Sequence, residues 1–173
     1  MPTFQRAVRS LEGLYAQGPA TVVPISGSTY TVAPSTNGGR TMSITAATTT
    51  ITLPAVNASA NSPISGPGQD PNTQNNFGIA YTFFLPATAT AVKIVTATGD
   101  YLAGSVDMNS ATGGASNGYC ADGSTTRSIN FNGTTTGGII GTFVTVTAIA
   151  AHTYMISGSV VGSGTLATPF ATS

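Results

Sequence analysis

The strongest constraint in this sequence is a period of two. Thr29–Ala33, Thr41–Thr45 and Thr49–Leu53 are short segments in which Tyr30/Val32, Met42/Ile44 and Ile51/Leu53 alternate with hydroxyl residues. Successive side chains on a strand point to opposite faces, so this alternation describes strands with one face buried and threonine outward. The pattern returns at Ile79–Leu85, with Tyr81, Phe83 and Leu85 on one face. It continues at Ala91–Thr96, Tyr101–Asp107, Thr125–Phe131, Gly141–Ile149 and His152–Val160. Asn37-Gly38-Gly39 and Thr98-Gly99-Asp100 read as turns, and Ala150-Ala151 as a tight hairpin connection. About nine short strands with almost no helix predict an all-β fold. The expected architecture is an antiparallel sandwich or barrel of Greek-key or jelly-roll type.

Three stretches break the rhythm. In residues 1–19, Phe4, Val8, Leu11 and Tyr15 fall at helical spacing, and Gly18-Pro19 ends the pattern. This is a short helix or an arm. About 15 residues cannot hold a helix alone in water, so it must pack on its own domain or on a neighbouring subunit. Residues 20–173 then form a single β domain with two long loops. The loop at 57–76 is polar and carries Pro63, Pro67 and Pro71; the loop at 108–124 holds Gly113-Gly114, Asn117-Gly118 and Asp122-Gly123. A loop of such length is either a flexible excursion or a contact element ordered by a partner. Pro169-Phe170 is expected to dock the C-terminus.

The polar surface of these strands is not ionic. Only 6% of the 173 residues are charged, five basic and five acidic, with a net charge of zero. An ordinary soluble domain of this length carries roughly 43 charges. Thirty threonines and 17 serines take their place. Five scattered basic residues make no nucleic-acid footprint, because phosphate binding needs clustered Lys and Arg. A membrane-surface helix needs a basic face, and a spanning helix about 20 apolar residues; neither pattern occurs. No apolar run follows the N-terminal arginines, so no secretory leader is expected. The 40% hydrophobic content is too high for a disordered chain. A single cysteine, Cys120, permits no internal disulfide.

Catalysis needs titratable groups that converge, and the chain has one His, one Cys and one Lys. A Ser159–His152–Asp107 triad lacks the Gly-x-Ser-x-Gly elbow. Cys120, in NGYCADG, could meet His152 in space, but only Arg127 is near it in sequence to lower its pKa. Asp100, Asp107 and Asp122 are too far apart for a calcium loop, and no Cys/His spacing suits zinc. Asp100 fits a turn before Tyr101, where it would accept hydrogen bonds from following amides. The run GTTTGGIIG at 133–141 lacks the lysine and the following helix of a phosphate loop, and reads as a hairpin connection. The chain is therefore not expected to be an enzyme, nor to hold a cofactor or metal.

The order of these features resembles the decoration (cement, or head) proteins of tailed double-stranded DNA bacteriophages. The likeness runs through FQRAVRSLEGLYAQGP, VVPISGSTYTV, NGGRTMSI, TTITLPA (49–55), YTFFL (81–85) and VKIVTATGDYLAGSV (92–106). Its most specific part is SINFNGTTTGGIIGTFVTVTAIAAHTYMISGSV (128–160), followed by TPF (168–170). The family's penultimate strand commonly carries Trp where this chain has Tyr154. The resemblance implies a structural protein on the outer surface of an assembled head, in a particle built in the host cytoplasm. It implies the major capsid protein as partner and self-association, often as a trimer, with no nucleic acid and no membrane. The arm would be the bridging element, with Phe4, Arg6, Arg9, Leu11, Leu14 and Tyr15 as capsid or subunit contacts. The alternative is a carbohydrate-binding module of a fibre or adhesin. For that reading Tyr119 near Asp122, and Tyr101 beside Asp100, are the candidate stacking sites.

Overall fold

A computed structural model describes residues 22–56 and 76–173. The described chain is an all-β sandwich of two sheets, as the alternation predicts. Twelve strands are present: β1 (Val22–Ile25), β2 (Thr29–Thr31), β3 (Thr41–Ile44), β4 (Thr48–Thr52), β5 (Ala80–Phe84), β6 (Ala91–Val95), β7 (Tyr101–Ser110), β8 (Ser116–Asp122), β9 (Ser128–Phe131), β10 (Phe143–Ala150), β11 (Thr153–Gly162) and β12 (Phe170–Ala171). One helical turn, Pro34–Asn37, interrupts them. It closes where Asn37 accepts the Ala33 N–H at 2.8 Å and donates to the Tyr30 hydroxyl at 2.8 Å. The arm at 1–19, with its six candidate contact residues, lies outside the described residues, as does 57–75.

The larger sheet has the order β1-β3-β5-β10-β11-β7-β8 and the smaller β12-β9-β6-β4-β2. From β1 to β6 the chain changes sheet at every strand. Parallel neighbours normally need a long crossover, usually helical. Here the crossover is a strand of the opposite sheet, so β1, β3 and β5 run parallel, as do β2, β4 and β6. The chain winds as a flattened coil. Val22 pairs with Thr41, 19 residues on, and Thr29 with Thr50, 21 residues on. In the next turn Thr41 pairs with Thr82, and Thr50 with Lys93. The segment 57–75 falls in that turn and is an insertion into it.

This winding corrects two expectations. The sheets are mixed, not antiparallel: five of the ten pairings among the described residues are parallel. Alternation reveals which face is buried but carries no information on strand direction. The stretch 108–124 is not a long loop either. Strand β7 runs through Ser110 and β8 occupies Ser116–Asp122, joined by a tight turn through Gly113 and Gly114 at positive φ. Strand β8 is illegible in the sequence because it lies at a sheet edge, where most of its residues are exposed and no apolar alternation is needed.

Three inward rows, one from the smaller sheet and two from the larger, line the core. In the smaller sheet Tyr30, Ile51, Ile94, Ile129 and Phe170 are register neighbours. In the larger sheet Met42, Phe83 and Val144 stand in one row, and Tyr81, Val146 and Ile156 in the next. All except Tyr30 and Phe170 are buried. Each such side chain is worth roughly 1.5–3 kcal/mol of burial. One backbone position is unusually tight. Gly104 of β7 has φ +128°, and a Cβ there would overlap the carbonyl oxygen of its partner Ile156. Gly104→Ala is therefore expected to lower unfolding free energy by roughly 3 kcal/mol. The check is a chemical denaturation curve, with a lowered midpoint and an unchanged slope.

Candidate interaction surface

The outer face of the larger sheet is wide and almost uncharged. Six strand spacings of about 4.8 Å make it roughly 29 Å across. One outward row runs from Val22 through Thr41, Thr82, Thr145, Ser157 and Ser105 to Cys120, with no charge in it. Thr82 and Thr145 hydrogen-bond each other at 3.0 Å across that row. The next row places Phe84 opposite Phe143, and a third carries Met155. Phe84 is 37% exposed and Phe143 and Met155 each 44%. Large apolar side chains left this exposed are the informative exception on a surface of hydroxyls. The only charges in the three rows are Asp107 and Asp122, towards the β8 edge.

The outer face of the smaller sheet differs. Its central row is Thr29, Thr50, Lys93 and Asn130, polar throughout. None of the described exposed large hydrophobics lies on its strands. The sandwich thus has one apolar-studded side and one hydrated side.

One end of the sandwich holds a buried polar cluster around Val56 and Asn76, the described residues on either side of 57–75. The Asp100 carboxylate, almost wholly buried, accepts the Val56 N–H at 2.7 Å and meets His152 Nδ1 at 3.0 Å. Tyr154 donates its hydroxyl to the Pro54 carbonyl at 2.8 Å. Asn76 donates to the Ala55 carbonyl at 3.0 Å, and the Gly78 N–H to the Ala148 carbonyl at 2.7 Å. Both roots of the insertion are therefore tied to the β6–β7 and β10–β11 turns. His152 sits in the tight β10–β11 turn at φ +59°. Asp100 is thus not the cap of its own turn that its place before Tyr101 suggests. Asp122 does that work instead: the Thr125 hydroxyl and the N–H groups of Thr125, Thr126 and Ser124 donate to it and hold its carboxyl far below the usual carboxylate range.

The other candidate residues do not converge. Ser159 and Asp107 are register partners, but His152 lies seven residues from Ser159 along β11, roughly 23 Å away. Cys120 is exposed on β8 opposite Ser105, four residues along β7 from the Tyr101 that pairs beside His152. Tyr119 faces inward and bonds Asn117 through its hydroxyl, while Asp122 faces outward, so the pair forms no joint stacking site. Tyr101 is half-buried, and its neighbour Asp100 is turned to Val56 and His152. Among the described residues no three His, Cys, Asp or Glu groups gather as a metal site requires. The run 133–141 is an ordered crossover between sheets rather than a hairpin, organised by the Asn132 side-chain carbonyl, which accepts the N–H groups of Thr134 and Thr136. Comparison with protein-family models, with curated proteins and with solved structures finds no match.

The buried cluster ranks two substitutions. Asp100→Ala strands the Val56 N–H in a buried site and should cost about 2–3 kcal/mol. His152→Gly loses one partly exposed contact but relieves the positive φ, and should stay within about 1 kcal/mol of the parent. Equal losses in thermal or denaturant unfolding would contradict the ranking. A further expectation concerns alkali. Burial pushes the Tyr81 phenol up to about 12, and burial with the nearby Tyr81 and Asp100 raises Tyr154 as well. In the unfolded chain both ionise near 10. Stability present below pH 10 is thus lost as pH rises from 10 to 12, by roughly 1.4 kcal/mol per pH unit per tyrosine. Unfolding free energies between about pH 10 and 11.5 should show this slope, and Tyr81→Phe should roughly halve it, leaving the Tyr154 contribution. Tyr81→Phe should not destabilise at neutral pH, because the Tyr81 hydroxyl finds no hydrogen-bond partner among the described residues.

Proposed function

We propose that this chain is a structural decoration protein that binds the outside of an assembled phage head and bridges neighbouring major capsid proteins. The observation that carries the reading is the unequal pair of outer faces. A broad uncharged sheet face with Phe84 and Phe143 side by side suits burial against another protein, while the Lys93 side suits water. Threonine and serine have little desolvation cost when covered, compared with unpaired ions. The ordered likeness to decoration proteins along the chain supports the same reading. In it the larger sheet turns towards the head, and the 1–19 arm with Phe4, Arg6, Arg9, Leu11, Leu14 and Tyr15 reaches a neighbour.

The test is co-sedimentation with purified expanded heads of the cognate phage, comparing the parent chain with Phe143→Glu. The parent should pellet with the heads. The variant should bind at least tenfold more weakly while its circular dichroism stays unchanged, because a carboxylate would be desolvated at the contact. No affinity of the parent chain, or an unaffected variant, would contradict the proposal. Binding on a glycan array that is lost in Tyr119→Ala would favour the carbohydrate reading instead.

A further inference from the structure

We propose that the edge of β8 left unpaired among the described residues pairs, antiparallel, with the same edge of a second copy of this chain. A sheet edge presents unpaired N–H and C=O groups that template another strand unless it is blunted. Three of the four edges of this sandwich are blunted. Strand β1 has four residues and contains Pro24, β2 has three, and β12 has two. Strand β8 has seven residues, no proline, no lysine and a ladder to β7 without a register shift. Its one charge, Asp122, is folded onto its own turn.

Which groups face the edge follows from the ladder. At one end Ser110 N–H donates to the Ala115 carbonyl, and at the other Gly123 N–H donates to the Leu102 carbonyl. Hydrogen-bonded and non-bonded pairs alternate along an antiparallel ladder. Asn117, Tyr119 and Ala121 therefore exchange bonds with β7. The backbone groups of Ser116, Gly118 and Cys120 point away from it, and all three residues are exposed. The next outward N–H, that of Asp122, goes to Thr126 Oγ1.

These three residues define one self-complementary register. Gly118 lies opposite its own copy at the twofold axis, and Ser116 lies opposite Cys120 of the second copy on either side. Glycine at the axis lets the two strands meet without a side chain between them. The axis is perpendicular to the sheet, so the outer faces of both copies lie on one side and join into a single surface. The pairing stands on the edge geometry alone and does not require the head-binding reading. A strand-to-strand contact buries less than a standard interface of about 1,600 Å², so the dimer should dissociate on dilution.

The test uses Ser116→Cys. In the proposed register the thiol introduced at position 116 faces Cys120 of the other copy with Cα atoms about 5.5 Å apart, within disulfide reach. Two copies of Cys120 are offset by four residues, roughly 13 Å, and cannot bridge. Under mild oxidation at high protein concentration, Ser116→Cys should give a covalent dimer on a non-reducing gel and the parent chain should not. Adding Gly118→Pro should abolish that cross-link, because the edge N–H at the axis is lost while the β7 ladder is untouched. Light scattering on the parent should show the mass rising from one chain towards two with concentration. A single-chain mass throughout with no cross-link, a three-chain mass, or equal cross-linking of the parent would each overturn the proposal.

Discussion

The contact between two inward rows of side chains carries the rest of this structure. Tyr30, Ile51, Ile94 and Ile129 on one sheet face Met42, Phe83 and Val144 on the other. Because the chain changes sheet at every strand through β6, each winding contributes a residue to both rows. Through β6, consecutive strands of one sheet are joined only through the opposite one. Burial and topology are here the same constraint. The winding also explains how parallel strands can leave an outer face bare: the covering layer is the second sheet, not a row of helices.

The outward positions inherit what the core leaves over. On the smaller sheet they are threonine, asparagine and Lys93; on the larger they are threonine and serine broken by Phe84, Phe143 and Met155. A hydroxyl surface has two uses. It supplies strand-favouring β-branched positions, and it can be covered without stranding charges. The apolar side chains on one face then set a direction. The cluster of Asp100, His152, Tyr154 and Asn76 adds a fixed base for the 57–75 insertion at one end of the sandwich.

Much of the fold is legible in the residues. The nine segments with alternating apolar positions are all strands, because burial of one face imposes the period of two. What periodicity does not encode stays hidden. Strand direction is invisible to it, since a threonine-outward strand looks alike in either pairing. Strand β8 reads as a loop because an edge with residues such as Ser116, Asn117 and Gly118 has almost nothing to bury. Asp122, not Asp100, caps its own turn: both lie at turns, and only the approach of Val56, 44 residues away, distinguishes them. The facing of Phe84 and Phe143 depends on a register that no local pattern reveals.

On the proposed reading, an uncharged sheet face rather than ion pairing would attach this chain to the head. The most direct measurement is the affinity for expanded heads across sodium chloride from about 50 mM to about 1 M. Contacts made by threonine, serine and phenylalanine are not screened, so the affinity should change by less than about threefold. A steep linear fall of log affinity with log salt, about tenfold or more over that range, would mean that charge, not the hydroxyl and phenylalanine face, holds the complex.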